Sequence, residues 1–344
     1  MRFGMRPVAS AMFDSCASTA ANAMGGGVYA DGTGRLLDCT VTNCTSAGVG
    51  GGVVLRGGTV SFCRLVANRA ATQAGGIQIG GTGTIACDHC YIAGNSTSAG
   101  DGGGVYLSGA LTLADCQITN NVAGNKGCGG GVLMSNGASL LRCDISGNRA
   151  SAGGGIYAAV CETATDCRIA GNTAGEGGGV YVPSSGKGSL SMTRCRVVGN
   201  TGTGSYGGGL YYSQGMMLNC LVADNLGNTG GGIFVQGGTY RNCTIAGNST
   251  SSAKTKGVYF NSDTAKAINC VIYKNGGTAA LEWGNVKPDC FINCAFSADA
   301  KFSGTAPVKT LTDEEVGKIE KKYLCDWFDT KIRIDRLRAE WLER

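Results

Sequence analysis

The chain has 344 residues, of which 60 are Gly, 18 Cys and only 4 Pro, and its formal net charge is +5. Glycine at this level with so little proline and no Gly-X-Y period excludes collagen, and a modest, unclustered positive charge argues against nucleic-acid binding. No apolar run approaches the ~18 residues of a membrane-spanning helix, and the first ten residues carry two Arg without the apolar stretch of a secretory signal.

From the N-terminus onward the chain repeats. One Cys column runs Cys16, Cys39, Cys63, Cys90, Cys116, Cys143, Cys167, Cys195, Cys220, Cys243, Cys270 and Cys294, in steps of 23 to 28 residues. Five residues after each Cys, from Cys63 to Cys270, stands an Asn: Asn68, Asn95, Asn121, Asn148, Asn172, Asn200, Asn225, Asn248 and Asn275. A glycine run follows, as at Gly102–Gly104, Gly153–Gly155 and Gly207–Gly209. Three columns in one phase, with loops of variable length between them, are the mark of a repeat architecture. Phe13 to Cys16 already sits inside a repeat, so the expectation is a fragment of a larger protein.

Within a repeat the hydrophobic period is two. After the glycines, Val105 and Leu107 fall on one face and Tyr106 on the other. The Val105 position is always aliphatic (Val28, Val53, Ile77, Val132, Ile156, Val180, Leu210, Ile233, Val258) and is expected to face inward. The Tyr106 position admits Gln78 and is expected to face out. A second strand is read through Leu113 to Ile118, with Leu113, Cys116 and Ile118 inward. Short strands at this period with no helix between them predict an all-β fold, a right-handed single-stranded parallel β-helix of about twelve coils over residues 1–308. At ~4.8 Å per coil the rod would be on the order of 55 Å long. The Asn column is expected to hold a left-handed corner and to bond along the stack as a structural ladder, above all at Asn121, Asn148, Asn172, Asn200, Asn225 and Asn248.

Near Pro307 the composition changes. Residues 309–344 contain one Gly yet carry 18 of the 53 charged residues. Thr312-Asp313-Glu314-Glu315 has the pattern of a helix start, and Val316, Ile319, Tyr323, Trp327, Ile334, Leu337 and Trp341 follow at helical spacing. This amphipathic segment is expected either to cap the open end of the rod or to pair with another chain as an oligomer contact.

Few residues outside these columns carry chemistry. Twelve Cys in one inward column read as small hydrophobes with free thiols, because parallel, in-register side chains point the same way and not at each other. Cys87-Asp88-His89-Cys90 is the one C-x-x-C, but a redox or zinc role needs a helix N-terminus or a second ligand pair nearby, and neither is apparent; no metal and no cofactor is expected. The residues before the Cys alternate in sign (Asp115, Arg142, Asp166, Arg194) and read as surface ion pairs. Were the chain an enzyme, Asp115, Asp144, Asp166 and Arg168 are its candidate catalytic residues, since a glycoside hydrolase needs paired carboxylates and a polysaccharide lyase clustered carboxylates with a basic residue. Arg142 would sit between Asp115 and Asp166 and hold both ionised. The outward aromatics Tyr157, Tyr181, Tyr211, Phe234 and Tyr259, on five successive coils, are the candidate binding residues. They either stack to shield the corner or pack on sugar rings or a partner.

Ile145 to Ala150, with Asn148 at its centre, followed by Gly153-Gly154-Gly155-Ile156-Tyr157, resembles the repeat of chlamydial polymorphic outer-membrane proteins. It equally resembles right-handed β-helix repeats of bacterial surface proteins in the pectate-lyase-like superfamily. That repeat is F-x-x-N followed by G-G-A-[IVL]; here Ile or Val replaces Phe and Gly replaces Ala. The resemblance implies a non-catalytic structural or adhesive rod, exposed at the cell surface or secreted, with a glycan or protein ligand. The alternatives are a carbohydrate-active β-helix enzyme and an intracellular or phage-associated scaffold. The rod and the enzyme are told apart by a groove, since an enzyme should gather acidic and basic residues from three or more coils on one sheet.

Overall fold

A computed structural model describes residues 2–3, 7–81, 85–184, 188–251, 257–273, 275–276, 281–283, 290–292, 294–296 and 309–310. Its strands are two to four residues long and every pairing between them is parallel. They form three long sheets of 12, 12 and 13 strands, with a fourth, narrower sheet split into pieces of four and five strands. One coil visits each in turn. Ile156–Ala158 lies in the first sheet, Glu162–Thr165 in the second, Arg168–Ala170 in the third and Thr173–Glu176 in the fourth. The next coil then returns to the first sheet at Val180–Val182, one strand along. No α-helix occurs among the described residues. Lys309–Thr310 adds a strand to the third sheet beside Ala295–Phe296; the expected helix from Thr312 onward lies outside the described residues.

The interior is built by the period of two. In the first sheet Val105 and Leu107 are fully buried and Tyr106 between them is half-buried. The second sheet contributes Leu36, Val60, Cys87, Leu113 and Leu140, and the third Val41, Leu65, Ile92, Ile118 and Ile145. Each coil has too few apolar residues to close a core by itself, and stacking removes its open faces from water. Toward the C-terminal end the filling turns aromatic, with Tyr212, Tyr240, Phe260 and Phe291 meeting edge to face at centroid distances of 5.0 to 5.8 Å.

Two corners differ from expectation. Leu113 to Ile118 is not one strand: Thr112–Ala114 and Gln117–Thr119 belong to different sheets, and the chain turns between them at Asp115, with φ of 53°. The inward residues Leu113, Cys116 and Ile118 remain as expected. Every coil from Asp38 to Asn269 repeats this left-handed residue just before the Cys, filled by Phe62, His89, Asp115, Arg142, Asp166, Arg194 and others. At the second corner the left-handed residue is not the Asn of the ladder but the one before it, such as Gly147, Asn120 or Asp224. A left-handed residue cannot also aim its side chain into the core here, so the two tasks fall to neighbours. The first glycine of most runs is left-handed as well, Gly153 at φ of 63°, and before Gly75-Gly76 that place is taken by Ala74 at φ of 57°.

The ladder itself is continuous. Asn148 Nδ2 donates to Asn172 Oδ1 at 3.0 Å and to the Ile118 carbonyl at 2.9 Å, and its backbone N–H donates to Asn172 Oδ1 at 2.9 Å. The same pattern runs from Asn68 to Asn275, and each Asn is almost fully buried. Buried amides with their hydrogen bonds satisfied hold a corner that backbone pairing alone leaves incomplete.

Candidate functional site

The five candidate binding aromatics are aligned. Strand register places Tyr157, Tyr181, Tyr211, Phe234 and Tyr259 directly over one another on the outer side of the first sheet. Parallel register sets identical positions at the strand spacing, close to the separation of stacked rings. Successive ring centroids lie 5.4, 4.6, 5.3 and 5.3 Å apart with interplanar angles of 7 to 20°. Tyr206, from the segment before the next glycine run, lies against Phe234 at 4.5 Å and edge-on to Tyr211. Ring faces are therefore spent on one another, and what reaches solvent is a comb of edges and phenol hydroxyls. Tyr211 and Phe234 are nearly covered, whereas Tyr157, Tyr181 and Tyr259 are half-buried. Burial raises the phenol pKa of Tyr157 and Tyr181, with Asp101 adding to the effect at Tyr157 and Glu176 at Tyr181.

The candidate catalytic residues sit at the corner between the second and third sheets and just past it. Asp115 and Arg142 pair through two bonds of 2.6 and 2.7 Å, and Asp166 and Arg194 through two of 2.7 Å. Asp144 accepts from Arg168 at 2.9 Å. Each Asp is thus bound to the Arg one coil further on, so Arg142 serves Asp115 while Asp166 is served by Arg194. A bidentate guanidinium occupies both oxygens of a carboxylate and leaves neither free to meet a substrate.

A family model described as "right handed beta helix region" matches residues 26–226, more than half of the chain. The chain belongs to this right-handed β-helix family. The match carries the handedness and the architecture and does not reach the narrower likeness to chlamydial polymorphic outer-membrane proteins. No curated protein and no solved structure matches the chain.

In this right-handed β-helix the Cys column is an interior row. From Cys39 to Cys294 its thiols are buried, and each turns toward backbone, as Cys63 does in donating to the Ser61 carbonyl at 3.2 Å. The C-x-x-C corner holds something the local motif did not show. Cys87 faces inward from the second sheet where the coils on either side carry Val60 and Leu113. Its Sγ, that of Cys90 and that of Cys116 all lie within 4.8 Å of one another. Cys116 comes from the following coil and brings a third thiol beside the motif, without the second ligand pair that a zinc site would need. His89 takes no part: it occupies the left-handed corner and stacks on Phe62 at 4.7 Å outside the core. Glu162 was also missed. It replaces an apolar inward residue of the second sheet, is about 1% exposed, and has a pKa raised to about 7 by burial, with Oε1 accepting from the Val160 N–H at 2.6 Å and Oε2 unpartnered.

Proposed function

We propose that this β-helix is a non-catalytic rod, the structural or adhesive part of a bacterial surface or secreted protein, which presents its repeating faces to a glycan or protein ligand. The observation that carries this reading is the five-coil comb of aromatic edges and hydroxyls on the first sheet. It is the longest run of one side-chain class on the outside of the stack, and regular spacing along a rod favours a partner that is itself extended or repetitive. The acidic candidates support the same reading, because each is already paired with an Arg and offers no carboxylate free to take or give a proton.

Binding to a glycan array and to whole cells tests it, with the full chain and a variant carrying Tyr157→Ser, Tyr181→Ser and Tyr259→Ser, chosen because these three rings reach solvent. Loss of at least tenfold in binding with an unchanged far-ultraviolet spectrum is expected. Unaltered binding by the triple variant removes the comb from the function, and release of reducing ends from any arrayed polysaccharide replaces the rod with an enzyme.

A further inference from the structure

The three inward thiols of Cys87, Cys90 and Cys116 form a compact group in an otherwise apolar interior. Cys87 is 2%, Cys90 0% and Cys116 1% exposed, and the packing around them comes from residues such as Val60, Ile92, Leu113 and Ile118. Elsewhere along the column each Cys has a neighbour only in the coils before and after it. Here Cys87 adds a third thiol from a different sheet, and this is the one such group among the described residues. A surface cavity of about 460 Å³ on the outer side of the second sheet has Cys87, Asp88, Leu111 and Thr112 among its lining residues.

We propose that Cys87, Cys90 and Cys116 are a binding site for a trivalent thiophilic metalloid, of which arsenite is the type. Geometry and charge both point there. A pyramidal trivalent centre with bonds of ~2.3 Å, the length of a zinc–thiolate bond, sets its sulfurs ~3.5 Å apart, so modest side-chain rotations bring together thiols already within 4.8 Å. Soft thiolates select soft centres, and no His, Asp or Glu among the described residues joins the three sulfurs to complete the tetrahedral set that Zn²⁺ favours. Net charge then discriminates. Three thiolates around a monovalent or divalent ion leave a negative complex in the core, with the carboxylate of Asp88 close by. A trivalent centre leaves none, and an unpaired buried charge is costly.

The binding step balances without a redox partner. As(OH)₃ and three thiols give As(SR)₃ and three waters; three As–O bonds break, three As–S bonds form, and each thiol proton leaves with a hydroxide as water. The reactant is uncharged at neutral pH, so it enters and reacts without carrying charge into the core.

The test uses the reduced full chain in a phosphine reductant, which supplies no competing thiol. Arsenite is added and the complex read by native mass spectrometry, by the arsenic–thiolate ultraviolet absorption and by the number of cysteines still alkylated. One arsenic per chain with three thiols protected is expected. Cys87→Val, which copies the residue one coil earlier, should weaken binding at least a hundredfold while keeping the melting temperature within a few degrees. Cys116→Ala should do the same, and Cys195→Ala, outside the group, should leave it unchanged. If Cys87→Val fails to fold, the comparison of Cys116→Ala with Cys195→Ala decides. No uptake by the folded chain, equal uptake by the Cys87→Val or Cys116→Ala variants, or preferred uptake of Cu⁺ or Zn²⁺ at the same three thiols overturns the assignment.

Discussion

Asn148 Oδ1 accepts two hydrogen bonds from Asn121, one from its backbone N–H at 2.9 Å and one from its Nδ2 at 3.0 Å. One side-chain oxygen therefore satisfies two buried donors of the preceding coil. Replacing Asn148 by Ala orphans both and removes the amide donor to the Ile118 carbonyl, and should cost about 3 to 5 kcal/mol. Asn120, next door but exposed and left-handed at φ of 55°, should cost about 1 kcal/mol when changed to Ala. Urea unfolding of the two variants measures the difference.

Glu162 makes stability depend on pH in an unusual direction. Its folded value of about 7 lies above the ordinary value of 4.5 because burial penalises the carboxylate. Below the ordinary value both states hold the proton and the full stability is present. As pH rises toward 7 the unfolded chain gives up its proton first, and stability is lost, by about 3 kcal/mol once the folded pKa is passed. Glu162→Gln should abolish this loss, so the variant gains on the parent at pH 8 and not at pH 4. Denaturant midpoints at the two values check it; equal differences at both would exclude the effect.

Gly155 and Gly171 separate two reasons for glycine. A Cβ on Gly155 would meet the Gly179 carbonyl oxygen at 2.6 Å and Asn172 Nδ2 at 2.9 Å, so Ala there should force neighbouring coils apart and cost more than about 3 kcal/mol. Gly171 has φ of 63° with nothing within 4 Å of a Cβ, so Ala there meets only backbone strain of about 1 kcal/mol. Thermal melts of the two alanine variants should be well separated.

Arg142 is left-handed at φ of 51° and its ion pair with Asp115 is largely exposed. An exposed pair of this kind contributes roughly 0 to 1 kcal/mol. Arg142→Ala should lose that while keeping the strained backbone, and Arg142→Gly should recover about 1 kcal/mol relative to Ala by relieving it. A melting comparison of the parent and the two variants, repeated at high salt, distinguishes the contributions.

The period-two pattern made the inward and outward columns legible before any coordinates, and the match of identical residues one coil apart made the Asn ladder legible too. The corner before each Cys was not, because its left-handed residue is Phe62, His89, Asp115 or Arg142 and carries no glycine signal. Nor was the third thiol. Cys87 and Cys90 are close in sequence, but Cys116 joins them only through the register between coils, which fixes how many residues the intervening loops absorb. The stacking of Tyr157 on Tyr181 was foreseen as one of two readings. That it leaves edges exposed and hides the faces depends on ring orientation, which a column of letters does not encode.

Pairing each Asp with the Arg of the following coil has a consequence for length. Excision of residues 143–194 would join Arg142 to Cys195, equivalent positions two coils apart, and keep the Asn and Gly columns in phase. It would also remove Asp144 with Arg168 and Asp166 with Arg194, while Asp115 keeps Arg142. Excision of the single coil 143–166 would instead set Arg142 beside Arg194, with Asp115 beyond Arg142 as the one carboxylate left to the two, and would take Asp144 from Arg168. Over this stretch the rod is thus punctuated in pairs of coils, and lengthening or shortening it by two preserves charge balance where a step of one does not.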